Sequence, residues 1–197
     1  GLVMGGSGGS ATPLVAQNNL SDVSSAATAL GNLGGLPQVA TNAVLISAAT
    51  TPYAVGAEVV RLDVSAGLGA PPLAFRKQSG TCATHSMASD GGSCNDAADG
   101  NSWYAIFPAS GADPREWGIK FDSGTTDNST TLAAWFAYGA QGNALRLPAI
   151  TGIAEYATPI AETLSAGSAF TILGAGQDAS VIGFTGATGT GLTLTVN

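Results

Sequence analysis

The sequence has few charged residues, and basic residues are the scarcest of them. Charged side chains make up 10% of the 197 residues, and only six are lysine or arginine, so the net charge at neutral pH is −7. Binding along a nucleic-acid backbone requires several cationic contacts to phosphates. We therefore expect no nucleic-acid partner.

Long apolar runs, histidine and paired carboxylates are also lacking. Every apolar run is interrupted well before the ~18 residues of a membrane span, so we expect no membrane insertion. The single histidine, His85, lies in a turn-rich stretch, which favours a solvated surface position. Glu155, Glu162 and Asp178 are scattered and do not form the pair typical of glycan-cleaving sites. We predict no catalytic residue, no cofactor and no metal in this chain.

The chain has only two cysteines, Cys82 and Cys94, and both fall in one Gly/Ser-rich loop. Three interpretations stay open. A disulfide closing so short a loop would add roughly 3 kcal/mol in the chain-entropy model. Two free thiols are the second interpretation, and a zinc site with His85 is the third. The zinc interpretation lacks C-x-x-C spacing and an evident fourth ligand.

Glycine is what the sequence has in abundance. The chain contains 28 glycines, about twice the usual share of ~7%. Glycine permits tight turns and close approach of backbones, and together with so few charges it argues against a helical enzyme domain. We predict short strands, many turns and close chain–chain packing.

Residues 1–45 combine a linker with a short helix. The Gly/Ser-rich start predicts a flexible or extended linker, and the absence of an initiator Met indicates a trimmed or partial chain. Further on, Gly34 provides the stop of a short helix whose apolar stripe contains Val23, Leu30 and Leu33. A helix this short is marginal alone. We predict that the stripe is a seam between identical helices in a trimer; the alternative is a helix resting on its own domain.

The same stretch resembles a known fibre element. The string NNLSDVSSAATALGNLG is similar to the "NLSDVxxxATARxNLG" element that recurs in phage tail fibres, ahead of a receptor-directed part. The resemblance implies that residues 1–45 attach the protein to other tail or baseplate proteins.

Residues 46–116 have the pattern of a small β-rich module. Strands are predicted within 55–64, 73–77 and 102–107, with a long turn-rich loop over 78–101. We expect Trp103 to anchor the core of this module. The order GAPPLAFRKQ, DGGSC and DGNSWYAIF resembles the β module that precedes the β-helix in many phage tailspikes.

Residues 117–197 carry the strongest resemblance. The string DPREWGIKFDSGTTDNSTTLAAWF, starting at Asp113, is similar to the pectate-lyase-like entry sequence "VRxFGAKGDGxTDDTAAIQAAI". LRLPA and FTILGAG then stand where that family has "VxLPAG" and "TLRGAG". The resemblance implies the start of a right-handed parallel β-helix, although one residue is inserted near Ser123 and Asn replaces Asp at position 128.

A helix is predicted at the entry to this segment. Asp127 or Asn128 can cap it over about 129–139. Its inner face would carry Leu132, Trp135 and Phe136, with Gly139 beside them. Such a helix can plug the open end of a β stack, whose first rung would otherwise expose apolar side chains and unpaired backbone groups.

Apolar pairs recur downstream of that helix. They lie at positions 145/147, 170/172 and 192/194, close to the spacing of roughly 20–25 residues that stacked solenoid coils produce. The stretches 160–164 and 181–184 can supply another sheet face. About two coils fit before residue 197, so we expect the β-helix to continue past it.

The sequence thus predicts a mainly β, trimeric protein in three parts: 1–45, 46–116 and 117–197. The predicted function is that of a phage virion structural protein, located extracellularly in the virion tail. It would attach a receptor-binding β-helix to the tail, and a host surface glycan would bind to a C-terminal part that this sequence lacks. The first alternative is the N-terminal part of a polysaccharide depolymerase with its active site beyond residue 197. A bacterial adhesin passenger is the second.

Overall fold

Short strands joined by turns make up most of the chain. The computed structural model describes residues 36–176 and 181–196, and the predicted helix with Val23, Leu30 and Leu33 lies outside these residues. Among the residues described, eleven strands accompany two α-helices and three 3-10 turns. The prediction of a mainly β chain is confirmed.

The first half forms a five-stranded sheet in the order β1-β2-β3-β5-β4. All neighbouring strands are antiparallel except β1 and β2, which are parallel. The strands are β1 (Gln38–Val39), β2 (Glu58–Arg61), β3 (Leu73–Gln78), β4 (Cys94–Asp96) and β5 (Ser102–Ile106).

Alternate residues of this sheet face a common apolar cluster. Because successive side chains of a strand point to opposite faces, Val59, Phe75 and Trp103 lie inside with Leu45. Leu45 ends the short helix α1 (Asn42–Leu45), which is followed by the 3-10 turn Ala48–Thr50. The helix and turn cover one face of the sheet.

The second half begins with the 3-10 turn Pro114–Trp117 and continues into helix α2 (Ser129–Ala140). Six strands follow and form three separate parallel sheets of two strands each. In each sheet, one of the first three strands pairs with the strand three positions later in the chain. They are β6 (Ala144–Arg146) with β9 (Thr171–Leu173), β7 (Ile153–Tyr156) with β10 (Val181–Phe184), and β8 (Ile160–Leu164) with β11 (Leu192–Val196). No closed β-helix is present in the described ranges.

The pairing differs from the expected stacking of apolar pairs. Leu145 lies opposite Ile172, in line with the expected partner strand, but Leu192 lies opposite Ile160 and not beside Phe170. Likewise, 160–164 and 181–184 belong to two different sheets and do not share one face. The prediction was wrong here because the loops between strands differ in length, so that apolar spacing alone does not identify the partner strand.

Helix α2 packs on the strands that follow it. Leu132, Trp135 and Phe136 are buried in one apolar cluster with residues such as Leu145 and Tyr156. At Gly139 an added Cβ would lie 2.6 Å from Cδ1 of Leu145, which is too close, so glycine allows the helix to approach the strand. No helix in the described ranges is long and apolar enough to cross a membrane.

Candidate functional site: the junction between the sheet and helix α2

Arg61 and Glu116 form a buried ion pair that joins β2 to the turn before α2. Their side chains are 1% and 2% exposed. Arg61 Nη1 also donates to Oδ1 of Asn42 at 2.9 Å and to the carbonyl of Gly91 at 3.1 Å. Burial raises the pKa of Glu116 to about 7, against the opposing attraction of Arg61. Arg61 thus joins β2 to three other segments, at a high desolvation cost for the ion pair.

Asp90 organises the loop that carries the DGGSC motif. Its Oδ1 accepts from the backbone N–H groups of Gly92 at 2.9 Å, Ser93 at 2.7 Å and Cys94 at 3.1 Å. Its Oδ2 accepts from Nε1 of Trp117 at 3.0 Å. A Cβ added at Gly92 would lie 2.2 Å from the Trp117 ring, so the loop rests directly on that ring.

Three aromatic rings continue the junction towards α2. Phe107, which follows β5, stacks on Trp117 with ring centroids 5.4 Å apart and an interplanar angle of 3°. Tyr138 of α2 contacts both rings, at 5.1 and 5.4 Å. Such contacts contribute beyond the area they bury. The aromatic set connects the last strand of the sheet to the helix.

Trp103 lies at the centre of the sheet region and is completely buried. Beside it, Lys77 is buried as well, with Nζ 5.5 Å from the centroid of the Trp103 ring. Lys77 Nζ donates to the carbonyl of Tyr53 at 2.9 Å and lies 2.6 Å from Oδ2 of Asp99. The hydrogen bond from Lys77 lowers the pKa of Asp99 to about 2. The buried ammonium group is thus fully compensated.

At the start of α2, the side chain of Asn128 does not cap the helix, although the sequence allowed either Asp127 or Asn128 to do so. Asn128 occupies the N-cap position, but its side chain makes no capping hydrogen bond. Its Oδ1 accepts from the N–H of Lys120 at 2.9 Å, and its Nδ2 donates to the carbonyl of Glu155 at 3.1 Å. Oδ1 of Asp127 instead accepts from the N–H of Ser129 at 3.0 Å. Asn128 therefore ties the helix start to β7, while Asp127 satisfies the helix N–H group.

Cys82 and Cys94 are joined in a disulfide, and both residues are buried. The bond links the 3-10 turn Cys82–His85 to β4. The N–H of Cys82 also donates to Oδ1 of Asp96 at 2.6 Å. The bond excludes the zinc and free-thiol interpretations in this structure, and the described residues contain no cluster of three potential metal ligands.

No catalytic arrangement is evident in the part of the chain that the structure describes. The ring of His85 contacts the carbonyl of Ser79 at 2.8 Å and packs against Tyr104. One cleft, of about 480 Å³, lies between the loop 65–69 and residues 119–122. Its charged side chains include Arg115, which is paired with Asp113. A second groove, of about 370 Å³, lies between α2 and β8 and contains Glu162.

The two buried ion pairs were missed in the sequence. The signal for Lys77 is its position, because it continues the inward alternation of Leu73 and Phe75 in β3. Arg61 likewise shares the inward face of β2 with Val59. Glu116 lies in a 3-10 turn without periodicity, so no pattern predicts it as the partner of Arg61.

Comparison with known proteins gives matches at the level of structure. No protein-family model matches the chain, and no curated protein sequence does. The enzymatically active domain of tailspike protein 4 from bacteriophage CBA120 matches with a TM-score of 0.54 and 18% identity, over 90% of this chain and 22% of that one. WceF from Pantoea stewartii is a glycan biofilm modifying enzyme with a tailspike-like parallel β-helix fold. It matches with a TM-score of 0.52 and 17% identity, over 78% of this chain and 22% of that one.

The chain thus spans about a fifth of the length of these proteins, 22% in each case. The resemblance predicted from the DGGSC, DGNSWY and entry motifs is confirmed at the level of fold: this chain has the fold found in phage tailspike proteins and tailspike-like enzymes.

Proposed function

We propose that this chain is the N-terminal part of a homotrimeric phage tail fibre or tailspike subunit, which attaches a receptor-binding β-helix to the tail for host adsorption. The observation that carries the proposal is the pairing of β6, β7 and β8 with β9, β10 and β11. Three parallel ladders with the same strand offset are typical of the first two coils of a parallel β-helix. Helix α2 is then the plug of the first coil, with Leu132, Trp135 and Phe136 as its apolar face.

The outer strands of these ladders support a continuing stack. Five of their large apolar side chains are exposed: Ile172, Leu173, Val181, Leu194 and Val196. The free edges of β9, β10 and β11 also present unpaired backbone groups, which favour the addition of further strands. In the proposed protein, residues 117–197 hold the helix and first coils, 46–116 form the β module, and 1–45 reach the other tail or baseplate proteins.

The thin apolar stripe of Val23, Leu30 and Leu33 in the sequence supports the trimer as part of this proposal. The protein then belongs to the extracellular tail of the virion, and a host surface glycan binds to later coils. Mass measurement of the protein in solution, by light scattering coupled to size-exclusion chromatography, tests this proposal. We expect three chains per particle, and a stable monomer would contradict the proposal.

A second candidate function is supported by the activities described for the similar proteins. One is described as an enzymatically active domain and the other as a glycan biofilm modifying enzyme. The corresponding proposal is that the complete protein is a polysaccharide depolymerase with its active site outside residues 1–197. Full-length gene product should then cleave the host capsule, while a protein ending at Asn197 should not. Cleavage by the shorter protein would overturn this placement of the active site.

A further inference from the structure

Glu162 is a carboxylate on the core-facing side of β8. Burial alternates along this strand, with Ile160 5% and Leu164 9% exposed while Ala161 and Thr163 are exposed to solvent. Residues two apart in a strand share a face. Glu162 therefore lies on the same face as the buried Ile160 and Leu164.

This carboxylate has no counter-charge in the part of the chain that the structure describes. Four of the six basic residues, Arg61, Arg76, Lys77 and Arg115, are paired with other carboxylates. Burial alone accounts for the raised pKa of Glu162, with no contribution from a neighbouring charge or hydrogen bond. A partly desolvated carboxylate without a partner is costly, and a ligand that supplies a cation would remove that cost.

The groove beside Glu162 has room for such a ligand. Its volume is about 370 Å³, within the range of roughly 300–1,000 Å³ for small-molecule pockets. Thr130 and Ala133 of α2 form one wall, and Thr158 and Pro159 before β8 form the other. Hydroxyl groups and small apolar side chains thus line the groove that contains Glu162.

We propose that this groove binds a small cationic polyol of the amino-sugar class, with its ammonium group on Glu162. The hydroxyl groups of Thr130 and Thr158 are complementary to sugar hydroxyls, and Ala133 and Pro159 offer an apolar surface to the C–H face of the ring. A charge-assisted hydrogen bond is stronger than a neutral one, which favours an amine over a neutral sugar.

Ligand-observed NMR on the full chain tests the proposal with galactosamine, galactose and N-acetylgalactosamine as probes. We expect saturable binding of galactosamine, about tenfold tighter than that of either neutral sugar, as one charge-assisted contact supplies. Glu162→Gln should abolish this preference. Glu58→Gln is the matched control, because Glu58 lies on the five-stranded sheet and pairs with Arg76, and it should leave binding unchanged.

Three outcomes would overturn the proposal: equal affinity for galactosamine and galactose, no saturable binding at millimolar concentration, or an unchanged preference in Glu162→Gln. Thermal unfolding of each variant shows whether it folds. Should Glu162→Gln fail to fold, Ala133→Leu provides a second test, because filling the groove should block galactosamine. The mass of the particle in solution tests the trimer separately, so failure of one proposal does not affect the other.

Discussion

The five-stranded sheet and the three parallel ladders are stabilised by different interactions. In the sheet region, two buried ion pairs and a disulfide surround an aromatic centre. In the ladder region, α2 packs on an apolar cluster that contains Trp135, Leu145 and Tyr156. Buried polar pairs tolerate little variation in geometry, so the sheet region is a closed unit, whereas apolar stacking can be extended by further strands. The difference fits a fixed module that precedes a repeating one.

The junction between the sheet and α2 combines both kinds of interaction, charged and apolar. Arg61 and Glu116 link it to the sheet by charge, while Phe107, Trp117 and Tyr138 link it to α2 by aromatic packing. We expect loss of the aromatic or charged contacts to uncouple the two regions, and the following predictions measure each side of this comparison.

The largest effect is expected for Trp135→Ala in the ladder region. Trp135 is completely buried, and its Nε1 donates to the carbonyl of Ala112 at 3.0 Å. Removing a buried tryptophan side chain should lower the free energy of unfolding by about 3–5 kcal/mol, measured by urea unfolding at fixed protein concentration.

Phenylalanine substitutions give the matched control. Trp135→Phe loses a hydrogen bond, worth about 1 kcal/mol, whereas Nε1 of Trp103 has no partner among the described residues. Trp103→Phe should therefore cost less than Trp135→Phe. An equal or greater cost would contradict the view that the ladder core depends on the Trp135 contact.

The next effect concerns the buried pair in the sheet region. Above pH 7, where Glu116 is ionised, Glu116→Ala leaves the Arg61 guanidinium buried without its counter-charge and should cost about 3 kcal/mol in unfolding free energy. The double variant Arg61→Met, Glu116→Leu removes both charges and should restore most of that loss. If the double variant were as unstable as Glu116→Ala, the pair would be needed for more than charge compensation.

Loss of the disulfide should rank third. Replacing both Cys82 and Cys94 by Ala should lower the free energy of unfolding by about 2–3 kcal/mol, because the unfolded chain regains the freedom of a short loop. Urea unfolding of wild type with and without a thiol reductant provides the same comparison without mutation. The double variant has no disulfide to reduce. If the reductant lowers its unfolding free energy as well, the loss seen in wild type does not arise from the disulfide.

The pH dependence of stability should report on the two buried ion pairs of the sheet region. The pKa of Glu116 is about 7 in the folded protein against an ordinary value of 4.5, so the folded state binds more protons between these values. Stability should therefore fall as pH rises from about 4.5 to 7, by on the order of 1–3 kcal/mol.

Asp99 acts in the opposite direction at lower pH. Its pKa is about 2 against an ordinary 3.8, so its contribution is present above 3.8 and is lost as pH falls towards 2. Urea unfolding across pH 3 to 8 should show a maximum near the lower end of the Glu116 range. In Glu116→Gln the fall in unfolding free energy towards pH 7 should vanish. If the fall persists in this variant, a group other than Glu116 causes it.

Part of this fold could be predicted from the sequence. The strands 73–77 and 102–107 and the helix at 129–139 have clear periodicity, and the structure has Leu73–Gln78, Ser102–Ile106 and Ser129–Ala140. The partner strands of the ladders were only partly predictable. Leu192 pairs with Ile160 because the connecting loops differ in length, and apolar spacing contains no information on loop paths.

The candidate site was less predictable, because its polar contacts join distant segments. Asp127 and Asn128 can both serve as N-caps. The Asn128 side chain binds the nearby backbone of Lys120 and Glu155 instead, and the sequence does not show that these segments lie close by. The partner of Arg61 lies in an aperiodic turn. The alternation of β8 predicts that Glu162 lies on its inward face. The groove beside Glu162 could not be predicted, because it is formed by the packing of α2 against β8.

The smallest effect is expected on the open face of the sheet. Glu58 and Arg76 lie opposite each other on β2 and β3 and form an ion pair at 2.5 Å, with the Arg76 side chain 53% exposed. Exposed pairs contribute between about 0 and 1 kcal/mol, and salt screens them. Glu58→Ala should therefore change the unfolding free energy by less than about 1 kcal/mol, with a smaller change in high salt. A loss as large as that of Glu116→Ala would mean that this face is covered in solution, as a subunit interface would cover it, and would remove the contrast between the buried and exposed pairs of the module.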